Sequence, residues 1–591
     1  MKTSFELSPH LARQIRGHLG FLYGVERVPA LLAKLTGVLM EFNQRNPALL
    51  QNVLPPEERL TERDVILITY GDQISEPGRP PLQSLAEVLA ARTEDILSGV
   101  HILPCFPYSS DDGFSIIDYR EVNPDLGAWE DVERLAEHFR LMLDAVINHI
   151  SRQSAWVQGF IDGKPEYQNF FITVEEGTDL SAVIRPRAKP LLTPLQTVNG
   201  EKLVWTTFGP DQIDLNFAEP ELLLCIIEVL LLYVERGAEI IRLDAIAYLW
   251  KTIGTNCIHL EETHRVVKLC RNVLDAVAPG VMLITETNVP HKENLSYFGD
   301  GTDEAQLIYQ FSLPPLTLHA LLSADASYLT AWAADLESDL PTAQTTFYNF
   351  LASHDGVGVR PVEGILPAAE VEMLAKRVAA HGGHVSYKTN ADGSQSPYEL
   401  NISYFDALSA PEGDEPLEVQ VVRFMASQAI MLALRGVPAI YVHSLFGSRN
   451  YYAGVEETGR YRSINREKFR RAELEAALDD PTSLRARVFM AYRQLLTARK
   501  EHAAFHPHGS QRVWELHPAL FALTRTSPDA SESVLCLHNV SGEAVTVQLA
   551  AAELPQEGSP VVQDIISGET WEIVARRLTL TLEPYQVLWL T

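Results

Sequence analysis

The sequence predicts an α/β protein: a (β/α)8 barrel with inserted loop domains, an N-terminal helical extension and a C-terminal antiparallel β domain. Three observations carry this reading. Apolar runs of strand length alternate with amphipathic helical stretches from about residue 65 to about residue 500. Acidic residues close several of those runs, where a barrel presents its functional side chains. After about residue 505 the pattern changes to short alternating runs, the signature of a small antiparallel sheet.

Residues 1–62 read as a helical extension, with apolar residues at three- and four-residue spacing across 28–42 and a polar stop at Pro55-Pro56-Glu57-Glu58-Arg59. Barrel strands are expected at 65–70, 100–103, 141–147, 240–243, 281–285, 346–352 and 439–442. Helical patterns such as 129–139 and 261–277 lie between them, so the barrel takes residues 63–149, 216–356 and 413–504. Residues 150–215 hold Gly, Pro and aromatics and are too long for a structureless loop, so they are expected to form an inserted domain. Residues 357–412, which include the Asn-, Gly- and Ser-rich stretch 386–396, make a second insert. Both inserts follow acidic strand ends and are expected to lean over the barrel mouth. The β domain, 505–591, has runs at 521–526, 533–538, 544–549, 578–582 and 587–590.

Composition narrows the function. The apolar fraction of 46% is ordinary for a globular protein. A formal charge of −29 argues against nucleic acid or an anionic membrane as partner, and any anionic substrate needs local Arg or Lys. Five scattered cysteines without Cys-x-x-Cys spacing read as buried thiols. The N-terminus, with Lys2, Glu6, Arg13 and Arg16 around no apolar centre, shows no secretory signal. The apolar stretch 222–234 is broken by Glu228 and fits a buried helix. A cytoplasmic location is expected. The N-terminal helices either offer an oligomer surface, as in a homodimer, or pack on the barrel.

Four segments carry the chemistry: Asp144-Ala-Val-Ile-Asn148-His149, Ile241-Arg242-Leu243-Asp244, Ile284-Thr285-Glu286-Thr287 and Leu351-Ala-Ser-His354-Asp355. Retaining cleavage of a glycosidic bond needs one carboxylate as nucleophile and a second as proton donor. Arg242 and Asp244 are two apart on a strand and face the same side, so the guanidinium is expected to lower the Asp244 pKa and keep it ionised. Glu286, one strand later, is expected to have a raised pKa from an apolar wall and the Asp244 charge. Taken singly, each has a plain reading: a sheet-end ion pair, a solvated strand-end acid, a capping His-Asp pair.

Together and in this order the four segments resemble the signature regions of the α-amylase superfamily, glycoside hydrolase family 13. That resemblance implies Asp244 as nucleophile, Glu286 as acid/base and Asp355 as transition-state stabiliser, with His149, Arg242 and His354 holding the glucosyl ring. Further motifs resemble the sucrose phosphorylase subgroup: Ser110-Asp111-Asp112-Gly113-Phe114, Val204-Trp205-Thr206-Thr207-Phe208, Asp211-Gln212-Ile213-Asp214, Gly254-Thr255-Asn256-Cys257-Ile258 and Gln310-Phe311-Ser312-Leu313-Pro314-Pro315-Leu316. By that resemblance Asp111 and Arg462 pair at the bottom of a one-sugar subsite. Phe114 is an aromatic platform, Phe208 an aromatic shield, and Gln212 a neighbour of the glucosyl ester. Arg187 is a mobile arginine that meets phosphate or acceptor, and Tyr398 belongs to the opposing acceptor loop. The subgroup needs no metal and no cofactor, with inorganic phosphate as co-substrate, and the chain shows no calcium-loop spacing.

The chain departs from sucrose phosphorylases in its N-terminal helices and in Tyr398-Glu399, where they have Tyr-Gln. The segments 284–294, 396–401, 447–455 and 458–466 resemble the glucosylglycerate phosphorylase branch, over nearly the whole length. This implies reversible phosphorolysis of 2-O-α-D-glucosyl-D-glycerate to α-D-glucose 1-phosphate and D-glycerate, all small molecules. Sucrose, sucrose 6-phosphate and glucosylglycerol are the alternative substrates. Water is the alternative acceptor, in an α-glucosidase, and a catalytically dead subunit is disfavoured by the retained carboxylates. Arg187, Lys189, Lys388 and Tyr398 are candidates for the glycerate carboxylate, which an inward-pointing Glu399 would repel.

Overall fold

A computed structural model describes residues 5–51, 53–186, 189–389, 393–555 and 559–591. Eight strands close into a barrel: β1 (Ile66–Thr69), β2 (Gly99–Ile102), β3 (Arg140–Ala145), β4 (Ala238–Leu243), β5 (Met282–Thr285), β6 (Leu307–Tyr309), β7 (Thr346–Phe350) and β8 (Val437–Tyr441). Every neighbouring pair is parallel, and β8 closes on β1. Strands covered on both faces must be apolar nearly throughout, which is why their sequences read as continuous runs. The expected α/β barrel is therefore present. The strand not foreseen is β6, whose three residues are too few to show a period.

Antiparallel strands make up the C-terminal part: Ser510–Trp514, Leu520–Thr526, Ser533–Asn539 and Val587–Leu590 form one sheet, and Val545–Ala550 pairs with Arg577–Leu582. In the first insert, Thr173–Val174, Leu192–Thr197 and Gly200–Trp205 form a small sheet, and Gln212–Asp214 returns to pair with His149–Ser151. In the second, Val357–Gly358 pairs with Gln395–Asn401, which also pairs with His384–Thr389.

The N-terminal helices α1 (Pro9–Tyr23) and α2 (Val28–Arg45) lie against two barrel helices, α3 (Pro220–Glu235) and α4 (Glu261–Val277). Ser8 caps α1 by accepting from the Leu11 amide, and Pro9 starts it with a φ already helical. Leu31, Leu35, Leu39 and Phe42 bury one face of α2. Helix α3 is apolar almost all round because it has the barrel on one side and α2 on another, and it buries Leu222, Ile226, Leu230 and seven further apolar side chains besides Pro220. Tyr23 at the end of α1 donates to the Phe217 carbonyl at 2.9 Å and packs against Trp250. Among the described residues no helix is long and apolar enough to cross a membrane.

Candidate active site

Register brings the acidic groups together. Leu243 pairs with Thr285, so Asp244 and Glu286 leave neighbouring strands side by side, about 4.8 Å apart in backbone. Arg242 pairs with Asp144 one step deeper, and all face the barrel interior. The Arg242 guanidinium donates to Asp144 and, at 2.8 Å, to Asp244 Oδ1, and stands 3.9 Å from Glu286 Oε2. His101 on β2 completes the floor, its Nε2 at 2.7 Å from Asp144 Oδ2. Glu286 accepts the Ala245 amide at 2.9 Å, which ties the two strand ends together.

Asp355 comes from the loop after β7, five residues beyond Phe350. It is bound by Arg462 at 2.5 Å, with Arg466 at 3.7 Å and His354 Nε2 at 3.5 Å. Phe114 stacks on His354 with ring centroids 4.7 Å apart, while Phe208 lies over His149 and against Tyr248. Gln212 donates to Asp111 at 3.1 Å and to the Phe114 carbonyl at 3.0 Å.

One cavity is lined by Asp111, Phe114, His149, Phe208, Gln212, Asp244, Glu286, His354, Asp355, Tyr398 and Arg462. Two expected residues stand behind it. Arg242 holds Asp244 from below, and Glu399 is buried behind Arg462, which it grips with two hydrogen bonds of 2.7 and 3.2 Å. Glu399 thus has its charge matched by Arg462, so the repulsion expected of it does not arise. The field of Asp111 acts on Arg462 together with the two direct partners, Asp355 and Glu399. Lys388 is taken by Glu363 at 2.6 Å. Lys189 lies on the other side, its ammonium beside Gly209. Arg187 lies outside the described residues.

The electrostatics correct one expectation. Burial, helped by the charges of Glu286 and Asp144, raises the Asp244 pKa well above the ordinary value although Arg242 opposes it. Glu286 is also raised, by burial first, with Asp355 and Asp144 adding and Arg242 opposing. Each carboxyl is therefore harder to ionise than an isolated one. Arg242 hydrogen-bonds Asp244 directly and stands farther from Glu286, so it favours the anion at Asp244 more than at Glu286. The depressed carboxyls are others: at Asp144 burial is outweighed by Arg242 and His101, and at Asp355 by Arg462, His354 and Arg466. Burial brings His354 down to about 3, so it is neutral.

Residues missed in the sequence also line the site. Arg466 donates to the His354 carbonyl at 2.7 Å and pairs with Asp112. Tyr248 and Asn288 form part of the wall. Lys251 is buried between Asp214, 2.7 Å away, and Asn148 Oδ1, at 2.8 Å, and so joins the first insert to β3's end. Asn288 and Arg466 fall within segments that resemble the family, 284–294 and 458–466, but no spacing there singles them out, and Tyr248 and Lys251 lie outside every such segment.

A family model for the α-amylase catalytic domain matches residues 96–362. The chain is 50% identical to the glucosylglycerate phosphorylase of Allomeiothermus silvanus, over 99% of each chain. It is 44% identical to that of Escherichia coli, over 90% of this chain and 92% of the other. Among solved structures, the sucrose 6F-phosphate phosphorylase from Thermoanaerobacter thermosaccharolyticum has a TM-score of 0.70 at 26% identity, covering 81% of this chain and 94% of that one. Fold, order of the acidic strand ends and full-length similarity agree: the chain belongs to the α-amylase superfamily, in its glucosylglycerate phosphorylase family.

Proposed function

We propose that the chain is a retaining phosphorylase that interconverts 2-O-α-D-glucosyl-D-glycerate and phosphate with α-D-glucose 1-phosphate and D-glycerate. The observation that carries this reading is the pairing of Asp244 and Glu286 at adjacent strand ends with a guanidinium biased toward Asp244. Asp244 attacks C1 as the bond from C1 to the glycerate oxygen breaks, and Glu286 gives its proton to that oxygen. A β-glucosyl ester on Asp244 results. A phosphate oxygen then attacks C1, the ester bond breaks, and the Glu286 carboxylate takes the proton that phosphate brings. Two inversions leave an α-product. Asp355, held anionic by its arginines, faces the positive charge that develops on the ring. Phe114 and Phe208 cover the ester and keep water scarce.

The acceptor rests on similarity to the glucosylglycerate phosphorylases, which runs through the N-terminal helices as well as the barrel. Phosphate release from α-D-glucose 1-phosphate, measured separately with D-glycerate, fructose, fructose 6-phosphate and glycerol, tests it. Release driven by D-glycerate is expected. Release with another acceptor alone keeps the mechanism and removes the substrate, and release of free glucose that no acceptor enhances points to an α-glucosidase.

A pH profile tests the proton assignment. Glu286 acts first as an acid, and its raised pKa extends the protonated form upward from the ordinary 4.5. The alkaline limb of kcat/KM for glucosylglycerate should therefore lie clearly above that value. Glu286→Gln should lower the rate by about 10^2–10^4-fold and flatten that limb. A Gln variant with the limb intact would assign the proton elsewhere.

A further inference from the structure

Past the end of β7 the chain leaves the barrel sheet, and the carbonyls of Ser353, His354 and Asp355 lose the ladder that would have paired them. Two neighbouring side chains supply their hydrogen bonds instead. Asn465 Nδ2 donates to the Ser353 carbonyl at 3.1 Å and to the Asp355 carbonyl at 3.2 Å. Arg466 Nε donates to the His354 carbonyl between them at 2.7 Å. Both residues are buried, at 6% and 7% exposure. A side-chain amide nitrogen has two hydrogens to give and a carboxylate has none, so asparagine can hold both carbonyls where an aspartate of the same shape would repel them. The Asn465 oxygen meets no donor among the described residues, so donation is what this residue contributes.

The holder is itself fixed. Arg462, Asn465 and Arg466 belong to the 3-10 turn Tyr461–Asn465 and the residue that follows it. Residues three apart on such a turn lie over one another, which puts Arg462 and Asn465 on one side. Arg462 takes the Asp355 carboxylate while Asn465 takes the Asp355 backbone. The Asn465 carbonyl in turn accepts from the Tyr441 hydroxyl at the end of β8, at 3.0 Å, and the Ile464 carbonyl accepts the Tyr451 amide at 2.7 Å. Arg466 also pairs with Asp112, on the loop that carries Asp111 and Phe114, and Phe114 stacks on His354. Asp355 and Arg466 line the glucosyl cavity, whereas Asn465 borders a smaller space behind Asp355, beside Phe350 and Ser353.

We propose that Asn465 is a positioning residue for glucosyl transfer: by holding the carbonyls on either side of His354, it fixes where Asp355 stands against the glucosyl ring. This rests on the role given to Asp355 in the reading above and adds a residue that acts through it. Among the described residues the other bond to the Asp355 backbone comes from its own loop, where the Ser353 hydroxyl accepts the Asp355 amide at 3.2 Å. Without Asn465 the loop can shift, and a carboxylate displaced by about 1 Å stabilises developing charge far less well. His354 keeps its stack on Phe114 and its bond from Arg466, so the loss should fall on the transition state more than on binding.

The test measures kcat and KM for transfer from α-D-glucose 1-phosphate to D-glycerate, with thermal unfolding alongside, for the unaltered enzyme, Asn465→Ala and Asn465→Asp. Both variants should lose kcat by about 10- to 100-fold, as misplacement of a group at the reacting centre does, while KM for α-D-glucose 1-phosphate changes less than about threefold. Fluoride release from α-D-glucosyl fluoride, whose leaving group needs no proton, should lose kcat/KM by the same factor, because Asp355 acts on the ring and Glu286 on the leaving oxygen. A loss that vanishes with the fluoride places the damage at Glu286 and overturns the proposal. An unchanged kcat overturns it too, as does a KM that rises as much as kcat falls, since that shows a pocket generally disturbed. Should neither variant fold, Ser353→Ala takes their place. It frees the Asp355 amide without altering the turn, and kcat should fall by about 3- to 10-fold with KM held; no such split overturns the proposal. If the unaltered enzyme only releases glucose, whatever acceptor is offered, the phosphorylase reading falls. The ratio of variant to unaltered hydrolysis rates then tests Asn465 in the same way, since Asp355 serves transfer to water as it serves transfer to glycerate.

Discussion

Asp244→Asn is expected to lower glucosyl transfer in both directions by about 10^4–10^6-fold, the range seen when an enzymatic nucleophile is removed. The carboxamide keeps the size of the side chain and can still accept from Arg242, so binding of α-D-glucose 1-phosphate should survive. It cannot form the glucosyl ester. Stability should move the other way. Burial and the charges of Glu286 and Asp144 raise the Asp244 pKa, so its ionised form is disfavoured in the folded chain relative to the unfolded one. That penalty is present above the raised pKa and absent below the unfolded value, and a neutral Asn escapes it. The variant should therefore unfold at an equal or higher temperature near neutral pH while phosphate release falls to background. Transfer persisting above about one part in a hundred would remove Asp244 as nucleophile. Lost activity together with a lowered unfolding temperature would mean that the substitution damaged the fold.

That opposition of stability and activity explains which parts of the site were legible beforehand. A period-two strand places Arg242 and Asp244 on one side, and parallel register then brings Glu286 beside Asp244, so these could be read from order and spacing. The pKa of Asp244 could not, because it depends on how dry the barrel floor is and on Asp144, one step deeper. Glu399 was legible as a residue of the acceptor loop but not as a group facing Arg462, since its direction follows from the pairing of Gly358 with Glu399. Strand β6 escaped because three apolar residues flanked by Gln306 and Gln310 fit a loop as well as a strand. Asn288 escaped for another reason: it lies just past a strand, and only the missing Cβ of Gly358 lets it pack there.

Lys251→Met is expected to destabilise the chain by about 3–5 kcal/mol, through a charge left unpaired in the interior. Lys251 and Asp214 have side chains only 2% and 0% exposed, and the ammonium also donates to Asn148 Oδ1. Asp214 is further bound by the amide and hydroxyl of Thr207 at 2.8 and 2.6 Å, so the carboxylate stays in place when the lysine is removed. Burial lowers the Lys251 pKa and Asp214 opposes that, as expected of a pair whose attraction offsets its desolvation only while both members are present. A methionine has nearly the volume of lysine, so packing should survive while the anion loses its partner. Removing the anion as well should then restore much of the loss: Lys251→Met with Asp214→Asn should be more stable than Lys251→Met alone, and the cycle should show coupling of 0.5 kcal/mol or more, as about 0.5–3 is usual for contacting residues. The pair ties the strand Gln212–Asp214 of the first insert to the end of β3, and Gln212 on that strand reaches Asp111 and the Phe114 carbonyl. Lys251→Met should therefore also raise KM for α-D-glucose 1-phosphate, because the glucosyl pocket loses its fixed wall. Thermal unfolding of the four proteins at one scan rate and one pH measures the coupling, and additive losses would show that Lys251 and Asp214 stabilise the chain independently.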